Sequence, residues 1–220
     1  MAQEKILKVI IFDLDGVLIN SLPNMNSAIR QVNRSMKLKI SFREYKKYLG
    51  LPFEKIMQKI GVKENVKKIK KNYQKYSKKN IHKIFIKKKL LSYLQKLSHL
   101  YKIAVFTSKD KSRSKQILKK YKIFNYVVSS DDVTQGKPNP EGLLKIKKKF
   151  KINSSQCIFF GDSIYDYKAS ISARILYAHV DWGYENLNNL KKKIIRIKKY
   201  SDIEKIINSI ELNKLIVKKT

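Results

Sequence analysis

The stretch that most constrains this chain is Val9 to Leu18, which reads VIIFDLDGVL. From Val9 to Leu14 only Asp13 is polar, and a short β-branched run bounded by a glycine is the pattern of a strand buried on both faces. Asp13 places in it a charge that is costly to bury unless it is paired or holds a cation. Asp15 follows two positions later, where an extended strand points its side chain the same way, and Gly16 allows the backbone to turn sharply. Read alone, Asp15-Gly16 also suits a surface turn. What lies downstream decides between the two.

Composition sets the outer limits. A chain of 220 residues can bury a sizeable core and is long enough for one domain, or one domain with an insertion. With 50 Lys+Arg against 17 Asp+Glu the formal charge is +33, which attracts anions and keeps nucleic acid, acidic membranes and phosphorylated small molecules in play. Most of the excess is Lys, accompanied by Ile, Asn and Tyr, a mixture that an AT-rich genome encodes by default, so the charge reads as compositional drift rather than a binding device. Cys157 is the only cysteine; it excludes an intramolecular disulfide and fits a reducing compartment, and its apolar surroundings suit a packed thiol. No apolar leader and no stretch able to cross a bilayer is visible, so the expected location is cytoplasmic.

After Leu18 the character changes. Pro23 to about Leu91 shows helical spacing of apolar residues, for example Ile56 with Ile60, and no convincing strand. Ser41 with Glu44 forms a capping-box pattern that starts a helix near Phe42, and Gly50 with Pro52 stops it. Lys63 to Lys79 reads as a solvated helix face, and His82 and His99 have no neighbours at ligand spacing. Strands then alternate with helices: Ile103–Phe106, a helix from Ser112 to Tyr121, Tyr126–Val128, a helix opening at Pro140 with Asn139 as its cap, Cys157–Phe160, Ile175–Val180, a weaker strand at Ile194–Ile197, and a helix opening with Ser201 and Glu204. This order implies an α/β fold with a doubly wound parallel sheet. Residues 1–19 and 91–220 form its core, with residues 20–90 a helical segment inserted between the first two strands.

Collected by strand end, the chemistry converges. The first strand delivers Asp13 and Asp15, the second Thr107 and Ser108, the fourth Asp162 and Asp166, and the loop after the third Lys137. In a parallel sheet these ends face one crevice. Clustered carboxylates call for a hard cation such as Mg²⁺, which takes one or two protein carboxylates with waters and a phosphate oxygen. A hydroxyl and an ammonium are the groups phosphoryl transfer uses for the remaining phosphate oxygens.

In these motifs the chain resembles the haloacid dehalogenase superfamily, within it the phosphoglycolate phosphatase-like branch. Asp13-Leu14-Asp15-Gly16-Val17-Leu18 matches the first motif, Thr107 the second, Gly136-Lys137-Pro138 the third, and Gly161-Asp162-Ser163 through Asp166 the fourth. The resemblance implies that Asp13 attacks phosphorus to give an aspartyl phosphate. It implies that Asp15 protonates the leaving oxygen and then deprotonates water. It also implies that Mg²⁺ is held by Asp13, the main-chain carbonyl of Asp15, and Asp162, with Asp166 in support. Arg174 departs from the pattern, standing where glycine is common before the fifth strand. The expected partner is a small phosphorylated metabolite, with no specific nucleic acid. A phosphosugar mutase on the same scaffold and a basic nucleic-acid-binding protein with an idle pocket are the alternative readings.

Overall fold

The computed structural model of the protein describes residues 6–188, 190 and 194–212. Its strands are β1 (Val9–Phe12), β2 (Lys102–Phe106), β3 (Tyr126–Val128), β4 (Cys157–Gly161), β5 (Leu176–Val180) and β6 (Ile195–Ile197). All pair in parallel, in the order β3-β2-β1-β4-β5-β6. Strand alternation sorts their side chains into two apolar layers. Ile10, Phe12, Ile103, Val105, Ile158 and Phe160 face one layer, while Val9, Ile11, Ala104, Phe106 and Phe159 face the other. Helices α5 (Lys88–Ser98), α6 (Lys111–Leu118) and α9 (Ser201–Glu211) cover the first layer, and α7 (Glu141–Phe150) and α8 (Ile164–Ser172) the second. The strand order reverses between β1 and β4, and that switch point is where such sheets open a crevice.

Helices α1 (Leu22–Met36), α2 (Phe42–Lys46), α3 (Phe53–Lys59) and α4 (Val66–Lys79) lie in the chain between β1 and α5 and share an apolar cluster of their own, with Met25, Ile29, Tyr45, Phe53, Ile56 and Tyr73 among its buried members. Packing passes to the sheet early: Ile81, Ile84 and Ile86 already belong to the first sheet layer. Ile19 bridges antiparallel to Ile86, so the outgoing and returning chains are tied together at the neck.

Several local expectations shift. β1 ends at Phe12, so Asp13 and Asp15 sit beyond the strand, and the turn rather than the pleat sets their directions. Asp110 caps α6, whose side chain accepts from Arg113 N, and Tyr121 lies beyond its end. Pro140 occupies the cap position of α7, yet Asn139 Oδ1 still accepts from Glu141 N at 2.9 Å. Ser41 caps α2 as expected, accepting from Glu44 N at 3.3 Å. The Ser201–Glu204 box does not form, because Ser201 is already inside α9; the neighbouring Asp202 carboxylate instead accepts from Lys198 N and Lys199 N at 3.1 and 3.0 Å. Arg174 adopts φ 57°, so the left-handed turn into β5 is kept with a residue that carries a steric cost there.

Candidate active site

Asp13 and Asp162 leave adjacent strands, β1 and β4, at the switch point, and both are almost wholly buried. Asp166 joins them from the first turn of α8. A capping box fixes it there: Asp166 Oδ2 accepts from Ser163 N at 3.1 Å and Ser163 Oγ at 2.6 Å, while Ser163 Oγ accepts from Asp166 N at 3.1 Å. Lys137, fully buried, places its Nζ 2.7 Å from Asp13 Oδ1 and 2.6 Å from Asp166 Oδ1. Burial opposes its charge, but the two carboxylates hold the ammonium pKa above its ordinary value. One ammonium does not compensate three carboxylates. Burial pushes Asp13 up to about 7, with Lys137 opposing and Asp166 adding to the rise. Asp162 is raised well above the carboxylate range by burial, then by Asp13 and Asp166.

Those carboxylates suit a hard divalent cation. Oxygen atoms of Asp13, Asp162 and Asp166 lie within 4.8 Å of one another, with no nitrogen or sulfur in the donor set. Gly16 has φ +87°, and a Cβ there would come within 2.0 Å of Asp162 Oδ2, so only glycine lets the first turn approach that carboxylate. The same oxygen is held by Tyr184 N, which donates to Oδ2 at 2.6 Å.

Asp15 stands apart from this cluster. Its Oδ1 accepts from Ser21 Oγ and pairs with Lys109 Nζ at 2.9 Å. Ser21 is steered in turn by Tyr184, whose hydroxyl accepts from Ser21 N at 2.8 Å. Ser21, Lys109 and Tyr184 were not singled out in the sequence. Lys109 was findable two places after Thr107, whereas Ser21 and Tyr184 lie in loops that carry no motif.

The Haloacid dehalogenase-like hydrolase family profile matches residues 10–180. The chain belongs to that family. Among its relatives, PpaX of Caldanaerobacter subterraneus subsp. tengcongensis, provisionally named a pyrophosphatase, is 29% identical over 196 residues, covering 85% of this chain and 87% of its own. A phosphoglycolate phosphatase of Aquifex aeolicus is 26% identical over 195 residues, with 83% and 89% covered. The crystal structure of a predicted phosphoglycolate phosphatase from Haemophilus somnus superposes with a TM-score of 0.80 at 24% identity, covering 91% of this chain and 97% of that one, and shows the shared fold.

In this haloacid dehalogenase-like hydrolase, Asp13, Asp15, Asp162, Thr107 and Ser108 open onto one cavity of about 280 Å³. Lys137 is fully buried beside the cavity, and its ammonium reaches Asp13 and Asp166 from within the protein, where it balances their charge. Ser108 Oγ donates to Gly50 O at 2.5 Å, so that hydroxyl ties the sheet edge to the helical insertion. Thr107 Oγ1 accepts from Lys109 N at 3.1 Å, which arrests the loop after β2 beneath Asp15.

Proposed function

We propose that the chain is a Mg²⁺-dependent phosphatase of small phosphate monoesters, phosphoglycolate phosphatase-like, that works through an aspartyl phosphate on Asp13. The observation that carries this reading is the opening of Asp13 and Asp15 onto one cavity, with Asp13 tied to Lys137 and Asp15 to Lys109. Lys137 holds one Asp13 oxygen and the other attacks phosphorus. Asp15, aimed by Ser21 and Lys109, gives its proton to the leaving oxygen and then takes one from the water that hydrolyses the acyl phosphate. Thr107 and Ser108, with the main chain around them, receive the phosphate oxygens. Bound by Asp13, the Asp15 carbonyl and Asp162, with Asp166 behind, Mg²⁺ would supply positive charge against the phosphate and the carboxylates. Residues 20–90 act as a cap that closes over the substrate and excludes water from the core of residues 1–19 and 91–220. Among the described residues no helix is long and apolar enough to cross a membrane; the lone buried Cys157 suits a cytoplasmic setting.

Phosphate release from a panel of esters, with Mg²⁺ and after chelation, tests the reading. Turnover should require the metal, and Asp13→Asn should fold normally yet retain less than about a hundredth of the rate. An isomerised product without phosphate release would indicate a mutase, and a fully active Asp13→Asn would remove the covalent step.

A further inference from the structure

The two ends of the cavity offer a ligand different chemistry. At the sheet edge stand carboxylates, hydroxyls and Lys109. At the helical end the walls are Met25, Tyr45, Phe53, Ile56 and Tyr73, all buried, with the Phe53 and Tyr73 ring centroids 4.9 Å apart. Arg113 enters from α6 among them, but it is already engaged. Its Nε donates to Asp110 Oδ2 at 2.5 Å, a terminal nitrogen donates to Ser77 Oγ at 3.2 Å, and its guanidinium lies 5.0 Å over the Tyr73 ring. The Tyr45 and Tyr73 rings pack against each other, tilted by 40° with centroids 6.2 Å apart. Arg43, Lys46 and Lys47 also line the cavity, but their side chains are exposed to solvent and are not buried partners.

A leaving group lodged at this end meets aromatic and aliphatic surface and polar groups that have their partners. Each hydroxyl of a sugar, the carboxylate of phosphoglycolate, or the second phosphate of pyrophosphate would give up water against this wall, with only the solvent-exposed Arg43, Lys46 and Lys47 to replace it. A cavity of about 280 Å³ is also small among ligand sites, which run from about 300 to 1,000 Å³. We infer that the substrate class is phosphate monoesters of small apolar, especially aromatic, alcohols, selected by the Met25, Phe53, Ile56 and Tyr73 wall. This inference rests on the phosphatase reading. In it the Asp13 oxygen bonds to phosphorus as the ester P–O bond breaks, Asp15 protonates the departing alcohol, and water then frees phosphate from Asp13.

Binding and turnover are measured separately so that the two claims can fail separately. For binding, calorimetry on the full chain with Mg²⁺ compares benzylphosphonate with phosphonoacetate, neither of which is hydrolysed. Benzylphosphonate should bind at least about tenfold tighter, in line with what an apolar pocket contributes per recognised group. Met25→Gln, which keeps the volume and adds an amide, should erase most of that margin. Equal or reversed affinities in the wild-type protein would overturn the inference whether or not any ester is turned over. For turnover, benzyl phosphate is compared with glucose 6-phosphate and phosphoglycolate; all three leave as alkyl alcohols, so the order reports the wall rather than leaving-group activation. A higher kcat/KM for either polar ester would also overturn the inference while leaving the phosphatase reading intact. Tight benzylphosphonate binding with no hydrolysis of any ester would uphold the wall and remove the phosphatase.

Discussion

His179 shows how one buried side chain ties stability to pH. It lies in β5, fully buried, with Nδ1 3.3 Å from the Tyr177 hydroxyl, while Nε2 has no hydrogen bond and lies 3.8 Å from Asp181 Oδ1. Burial and then Arg196 lower its pKa below the ordinary 6.5, against the pull of Asp181 and Asp166. The folded state therefore keeps the ring neutral where the unfolded chain takes up a proton. Below pH 6.5 the unfolded state binds more protons, so this residue's contribution to stability is present above that value and is lost as pH falls through it. Urea unfolding on either side of pH 6.5 should show the midpoint falling on the acid side, and falling less in His179→Gln. Equal acid losses in the two proteins would assign the effect to other groups.

Among the elements, α6 has a part that its own sequence does not announce. It belongs to the sheet layer through Ile117 and Leu118, yet sends Arg113 into the helical insertion, onto Tyr73 and Ser77 of α4. Ser77 continues the connection to α1, its Oγ donating to Asn24 Oδ1 at 2.6 Å. Burial opposes the charge of Asp110, but Arg113 holds its carboxyl below the usual range. Removing one partner of such a pair strands the other: Arg113→Leu should cost about 3–5 kcal/mol, and the double change Arg113→Leu with Asp110→Ser, which restores a cap for α6, should recover much of it. A double-mutant cycle by urea denaturation measures the coupling, and a single variant within about 0.5 kcal/mol of wild type would show that the pair is not a structural tie.

At the scale of the whole molecule the charge of +33 sits on faces such as that of α4, where Lys67, Lys68 and Lys71 are exposed and Lys70 pairs with Glu54 at 2.6 Å. Beyond one Debye length, about 8 Å at physiological salt, such charges are largely screened from the site. Neutralising Lys67, Lys68 and Lys71 together should leave kcat/KM for a small ester within a few-fold. A loss of tenfold or more that shrinks with added salt, accompanied by loss of duplex DNA binding, would make a polymeric anion a partner and the basic face a working surface.

The sequence by itself determined the sheet and the acids at its edge, because the central strands β1 and β4 are short apolar runs buried on both faces and the parallel connections leave the strand ends at one crevice. Asp13, Asp15, Thr107, Ser108, Lys137, Asp162 and Asp166 were legible for that reason. Where a helix begins was less so: Ser201 and Glu204 have the spacing of a cap, but the Asp202 carboxylate already takes the preceding amides. Only the tertiary structure decided the partners of those acids. Lys137 lies behind Asp13, Lys109 beside Asp15, and Tyr184 binds Asp162 through its amide and Ser21 through its hydroxyl. These residues meet across loops far apart in the chain, and no period or spacing encodes a contact that exists only once the layers have packed.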